Sequence, residues 1–410
     1  MNDRSHTVSV RYGEGTIETA LPDCTVDVAT PQGGDPVDVP AEARRALDEP
    51  HGPPLEELVT PGDEVAIVVT DVTRSTPDDV LVDAIVERLS VPEDRLTIVL
   101  GLGLHRPMTD EEIREGLGEY AEYAINHDPE EVHEVGTVDG VQVEVHRSVA
   151  DADVVVSTGM VEPHQYAGFS GGAKTVVIGS GSESMIRYTH GPDMLSKEGV
   201  RLGRIEDNPF REAIDRAGDL AGPDFCVNVT HGPSGILGVS AGRPRAVVAE
   251  LASIAREALS VPVTRTDYDA VVAGVPAPKD ANLYQATRAA TYVLLGATNP
   301  LTPGGRVVLP AALPEGAGSG AGDRRFYEWF SSATDAGSLY EAMKEGYEPG
   351  AQRAFITAKA MRDHDIYVTN TDAPEVVEEC LMWAVPTIED AIEPESRVLA
   401  VPNAIETILR

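Results

Sequence analysis

Three times in its first 165 residues the chain runs as an apolar strand and then breaks into a loop of polar side chains. This repeat limits the possible folds more than any other feature. GDEVAIVVTDVTRSTP (62–77) reads as a strand ending at Thr70, a loop bearing Asp71 and Arg74, and a helix from about Asp78. DRLTIVLGLGLHRPMTDEE (94–112) repeats the design, with a strand from Leu96 to Leu100 and a glycine-punctuated loop carrying His105. Thr109 and Glu112 then have the spacing of a capping box. A third strand, Asp153–Val156, leads into the loop of His164. Further strands at Arg306–Leu309, Asp365–Thr369 and Arg397–Val401 alternate with helices. Strand–helix alternation of this kind predicts an α/β fold of two lobes, each with a mostly parallel sheet flanked by helices. Open sheets of this type bind ligands at the carboxyl ends of their strands. Asp71, Arg74, His105 and His164 are therefore expected around one crevice, in a cleft between the lobes. The expected boundaries are 1–266 for a catalytic domain that opens with a strand pair (Thr7–Arg11 and Thr16–Ala20), and 267–401 for a second α/β domain. Residues 402–410 are expected to pack back on the first.

Composition narrows the partners. The 410 residues carry a formal charge of −36, spread along the chain, with 42% hydrophobic residues, which is enough for ordinary cores rather than disorder. An acidic, lysine-poor and aromatic-poor chain fits a high-salt cytoplasm, where screening suppresses self-repulsion. Nucleic acid and anionic membranes are poor partners for such a surface. The three cysteines (24, 226, 380) lack metal-binding spacing and read as small core residues. Neither a signal peptide nor an apolar run of about 18 residues is visible, so a cytoplasmic protein is expected.

The third loop continues as EPHQYAGFSGGAKTVVIG (162–179). Ser170, Gly171 and Gly172 stand just ahead of Lys174, and glycines there let backbone amides approach an anion, the more so if a helix begins next. It is not a Walker loop, because Ala173 precedes the lysine and the spacing differs. Only five of the 32 basic residues are lysine, so a lysine kept here points to amine chemistry, with simple phosphate binding as the alternative. His190 lies 16 residues further on, where SESMIRYT reads as a helix stopped by His190-Gly191-Pro192. In DAVVAGVPAPKDANLYQATRAATYVLLGA (269–297), Gln285 and Arg288 share a helix face. They suit a carboxylate clamp, or are a solvated face. Likewise Asp71 and Arg74 are either site residues or a local helix-capping pair. GAGSGAGD (316–323) reads as a flexible loop, and histidines 6, 51, 127, 133, 146, 231 and 364 read as surface.

DVTRSTP (71–77), GLGLHRPMTDEE (101–112), EPHQYAGFSGGAK (162–174), the spaced His190 and PKDANLYQATRA (278–289) together resemble a known family. These are the nickel-pincer-nucleotide-dependent lactate racemases and their 2-hydroxyacid racemase and epimerase relatives. The motifs span most of the chain in the same order. The resemblance implies that Lys174 holds the pyridinium-derived nucleotide covalently, and that His190 is a nickel ligand. It implies His105 and His164 as the acid/base pair, with Arg74, Gln285 and Arg288 orienting the substrate carboxylate. Asp71 and the amides of Ser170, Gly171 and Gly172 would position the cofactor or a catalytic histidine. Cofactor-synthesis proteins would be maturation partners. Two bases suit a reaction that must run from either enantiomer of a 2-hydroxyacid.

Two departures bear on substrate identity. Arg288 stands where the lactate enzymes usually have lysine, and GYEPGAQRAF (346–355) lacks the tryptophan expected near it; Trp329 and Trp383 are distant in sequence. A bulkier or more polar 2-hydroxyacid is compatible with both. The competing readings are a zinc hydrolase built on His105, His164 and His190, and a non-catalytic carrier of the cofactor. An NAD-dependent dehydrogenase lacks its fingerprint, because GLG is not followed by the third glycine and an acidic partner.

Overall fold

The computed structural model describes residues 6–410. The chain divides into two units. The first comprises Gly33–His190 and Lys197–Ala258; the second comprises residues up to Gln32, Gly191–Ser196 and Leu259–Arg410.

In the first unit a six-stranded sheet has the spatial order Gly235–Gly242, Phe225–Gly232, Val154–Met160, Val65–Val69, Leu96–Leu100, Ala124–Asn126. Only the pair Phe225–Gly232 with Gly235–Gly242 is antiparallel. The three strands singled out from sequence are the adjacent central ones, so their loops emerge side by side. Every residue of Val65–Val69 is buried, as a strand covered on both faces requires. Ile67, Ile98, Leu81, Ile85, Val156 and Phe225 form one core under the site loops. Fully burying each such side chain stabilises the fold by roughly 1.5–3 kcal/mol.

The second unit has its own six-stranded sheet, wholly parallel, ordered Trp383–Val385, Asp365–Thr369, Leu301–Pro310, Tyr268–Ala273, Arg397–Val401, Thr25–Val28. The α/β class and parallel sheets match the sequence-based expectation. The boundaries differ at two places. Thr25–Val28 pairs with Arg397–Val401, and Thr7–Gly13 pairs with Val275–Pro276, so residues 6–32 cluster with the second unit. Ile408–Leu409 pairs with Ser260–Val261, within the expected 1–266, but residues from Leu259 onward cluster with the second unit. Backbone pairing with strands hundreds of residues away decides this, and no local pattern encodes it. All three cysteines are buried. No helix among the described residues is long and apolar enough to cross a membrane.

Candidate active site

The loop after Val65–Val69 turns on Asp71. Its Oδ1 accepts from the Thr73 backbone N–H at 2.9 Å and from the Thr73 hydroxyl at 2.5 Å, while its Oδ2 lies 2.5 Å from His105 Nδ1. Burial opposes the Asp71 charge, but the bonds from His105 and Thr73 outweigh it and hold the carboxyl below its ordinary range. An ionised acceptor fixes the proton on His105 Nδ1, so Nε2 carries the lone pair. His105 is itself exposed. The glycines of GLG serve packing: a Cβ on Gly101 would lie 3.0 Å from the Val69 carbonyl and 3.3 Å from Gly179, and Gly103 adopts φ +57° and donates to the Gly179 carbonyl. The His105 loop is thus seated on the turn that follows Lys174.

Beneath these loops the buried Asp78 carboxyl accepts from the Thr70 hydroxyl at 2.7 Å and from that of Thr158, tying two strand ends together. Burial pushes Asp78 up to about 7.

Arg74 is paired with Glu162, whose second oxygen is 3.7 Å from His231. The backbone of Glu162 is pinned by Ser170, which accepts from its N–H through Oγ at 3.0 Å and donates its own N–H to its carbonyl at 2.9 Å. His164 Nδ1 accepts from the backbone N–H groups of Ala167 (3.1 Å) and Tyr166 (3.3 Å), which places the neutral ring's proton on Nε2. His105 and His164 therefore have opposite tautomers. One presents an acceptor and the other a donor.

The glycine-rich loop differs from a ligand cradle. Gly171 and Gly172 have φ of +77° and +61°, and Cβ atoms there would meet Val161 at 2.6 Å and Val248 at 2.7 Å. They permit a tight internal turn, and two amides of the triplet are taken by the protein: Ser170 donates to Glu162, and Gly172 to Asn228 Oδ1 at 2.8 Å. The buried Arg211 guanidinium, from the helix Pro209–Ala221, donates to three successive carbonyls: Phe169 (2.5 Å), Ser170 (3.2 Å) and Gly171 (3.3 Å). After Lys174 the chain makes a π-helical turn, Thr175–Gly179, instead of a regular helix start.

Lys174 sits among these groups. Burial first, then the charges of Arg74 and Arg211, push its ammonium down from 10.5 to about 7, against Glu162 and Asp71. His190 caps the helix Glu183–Thr189. The Thr189 hydroxyl donates to the Met185 carbonyl at 2.7 Å, so at 3.0 Å it accepts from His190 Nδ1, leaving the lone pair on Nε2. Burial and the Lys174 charge push His190 down to about 3, which keeps it neutral. Tyr166 and Phe210 pack edge-on against the His190 ring, with centroids 5.5 and 5.0 Å away, and Phe210 also reaches His164 at 6.1 Å.

Gln285 and Arg288 belong to the second unit, on the helix Leu283–Leu294, where Arg288 Nε donates to Gln285 Oε1 at 3.2 Å. Trp329 donates its indole N–H to Glu348 at 3.3 Å, so the fold brings a tryptophan to the GYEPG segment that lacks one.

Sequence reasoning missed Arg211, Asn228, Tyr166 and Phe210, and took His231 for surface. Arg211 sits in NPFREAIDR, which reads as an ordinary charged helix, so no signal marked it. His127 and His146, also read as surface, are 4% and 2% exposed, with rings 5.8 Å apart. Their polar sequence neighbours point to solvent while the rings turn inward.

Residues 12–203 match the profile of the lactate racemase N-terminal domain. The chain is 27% identical over 393 residues to the lactate racemase of Lactiplantibacillus plantarum, covering 89% of this chain and 90% of that protein. It is 25% identical to the lactate racemase of Thermoanaerobacterium thermosaccharolyticum, covering 98% and 99%. The solved lactate racemase apoprotein from the latter organism shares the fold, with a TM-score of 0.85 at 23% identity over 98% of this chain and 100% of that one. A Thermotoga maritima protein is similar at a TM-score of 0.65 and 17% identity, over 92% of this chain and 100% of that one. The domain match covers Asp71, His105, His164, Lys174 and His190, and the similarity to the two lactate racemases runs over 89% and 98% of this chain.

Proposed function

We propose that this protein is an isomerase, a racemase or epimerase of a 2-hydroxyacid that is lactate-like or larger, and that it carries a nickel-pincer nucleotide on Lys174. The observation that carries the reading is the pairing of a near-neutral lysine amine with a neutral imidazole, His190, beside two histidines of opposite tautomer. Its cofactor part rests on the donor set. Lys174, held near 7, is an amine able to enter a covalent linkage at neutral pH. His190 presents Nε2 in the form a metal takes. Among the described residues no three His, Cys, Asp or Glu side chains lie together as a metal site. A metal at His190 would thus take its other donors from a bound organic group, which fits a sulfur-bearing pincer and leaves the zinc-hydrolase reading without a ligand set. When bound, such a group supplies an electrophilic carbon able to take hydride from the substrate Cα.

The chain's own residues supply the proton chemistry. His105 Nε2 takes the hydroxyl proton, and the Asp71 carboxylate at 2.5 Å stabilises the imidazolium that forms. His164, locked by two backbone amides, offers an N–H to the substrate oxygen of the opposite enantiomer. Arg74 is oriented by Glu162, and Gln285 with Arg288 forms the second cationic group assigned to the carboxylate. A planar Arg288 fork in place of an ammonium favours an acid that offers two coplanar oxygens.

Production together with the cofactor-synthesis proteins, in high salt, tests the reading. The expected result is an adduct mapped to Lys174, near-stoichiometric nickel and racemisation of at least one member of a 2-hydroxyacid panel. Unmodified Lys174 in an active protein would sink it. An adduct with no activity on any acid, and with unchanged behaviour of Asp71→Asn, would favour the carrier.

A further inference from the structure

Burying a guanidinium is costly unless its donors are met, and an apolar side chain of similar volume often serves stability as well. Arg211 is 3% exposed, and the one carboxylate at hand, Asp215, stands 3.4 Å away. Nη1 donates to that carboxylate, and the fork also donates to the carbonyls of Phe169, Ser170 and Gly171. Those carbonyls belong to a segment with three left-handed glycines in five residues, Gly168 at φ +77°, Gly171 at +77° and Gly172 at +61°. Such backbone has many alternatives open to it, and needs an external tie to hold one.

The helix that carries Arg211 also touches Tyr166, His190 and Ala173. Asn208, its N-cap, donates to the Tyr166 carbonyl at 2.8 Å. Phe210 packs on His190. At Gly218 the helix lies so close to the residue before Lys174 that an added Cβ would come within 2.3 Å of the Ala173 Cβ.

We propose that Arg211 is a positioning residue that presents Lys174: by gathering three successive carbonyls onto one planar fork, it fixes the loop in the conformation that directs the amine into the site. Arg211 touches neither substrate nor cofactor in this role. The inference deepens the proposed function and rests on it for the purpose of Lys174, but its geometry can be tested without cofactor. A lysine at this position keeps the charge and loses the fork, so Arg211→Lys separates the two contributions, and Arg211→Met removes both.

The test is competitive acetylation of cofactor-free protein with limiting acetic anhydride at pH 8, reading Lys174 against the exposed Lys344 by peptide mass. In the wild type, a desolvated amine beside cationic groups is expected to be modified about tenfold faster than Lys344. In Arg211→Met and Arg211→Lys that preference should fall to about one, with faster amide exchange confined to 168–174. The melting temperature of Arg211→Lys should stay within about 5 °C of wild type. A wild-type ratio in either folded variant overturns the proposal. Should Arg211→Met not fold, Arg211→Lys decides alone. The same proteins made with the cofactor-synthesis enzymes should lose the Lys174 adduct. A wild type that takes no adduct would refute the functional reading, while the acetylation ratio would still report on Arg211.

Discussion

Each unit has a glycine-rich stretch on the loops at the carboxyl ends of its parallel strands, and the two are held in opposite ways. In the first unit GFSGGA is buried and Lys174 half-buried: Glu162, Asn228 and Arg211 bond the backbone from three different elements. In the second unit GAGSGAGD is secured by its own Asp323, which accepts from the Gly320 N–H at 2.9 Å, by local turn bonds from Gly316 and Gly318, and by a single distant backbone bond, from the Leu283 N–H to the Gly316 carbonyl at 3.0 Å. Glycine content is similar, yet one segment is fixed and sequestered and the other is a surface turn running into a helix. The number of partners supplied by other elements makes the difference, with Asn228 and the three-carbonyl fork of Arg211 on the first loop against the single Leu283 bond on the second. The same contrast governs electrostatics, since burial around the first loop moves Lys174, His190 and Asp78 far from ordinary values.

The contrast is sharpest at Lys174. Lys174→Met should reduce activity to background and eliminate the adduct, yet raise the melting temperature by ~2 °C or more at pH 7. The sign follows from linkage: a cation whose folded value (about 7) lies below its unfolded value (10.5) costs stability fully below pH 7, and the cost vanishes as pH rises toward 10.5. A stability gain that did not shrink between pH 7 and 10 would break the argument. Asp71→Asn should lower kcat by about 10²–10⁴ with little change in KM, because an amide no longer enforces the His105 tautomer. An equal fall in affinity would instead place Asp71 on the substrate.

Gly171→Ala forces a Cβ into Val161 and Asn228 at a left-handed φ, and should cost ~2–4 kcal/mol of stability and most of the Lys174 adduct. Arg288→Lys is expected to change KM about fivefold to tenfold in opposite directions for small and bulky 2-hydroxyacids, read from a substrate panel. At the other end of the scale, Gly316→Ala has φ +56° but no neighbour nearer than 3.6 Å, so only the backbone penalty of about 1 kcal/mol remains, with activity within twofold of wild type. Similar losses at Gly171 and Gly316 would erase the distinction between the two loops.

Much of this is readable in the chain. The strand Leu96–Leu100, the capping box of Thr109 and Glu112, the start of the helix at Asp78, and the end of another at His190 are local patterns, and each falls where the sequence places it. Adjacent emergence of the Asp71, His105 and His164 loops follows from strand–helix alternation, because parallel crossovers leave successive loops at one end of a sheet. From sequence alone the glycines of SGG read as an opening for ligand, whereas the structure uses them to let Val161, Asn228 and Val248 close in. Trp329 lies 19 residues from Glu348, too far for any local pattern to join them, and the fold brings its indole N–H onto that carboxylate.

By itself, then, the sequence determined the elements and the inventory of reactive groups, since periodicity, caps and strand-end loops depend on neighbours within a few residues. Tertiary structure alone decided which groups are charged and which backbone is fixed. Those properties depend on desolvation and on partners such as Arg211 at Ser170, Asn228 at Gly172 and Thr25–Val28 at Arg397–Val401, and these are separated by tens to hundreds of residues.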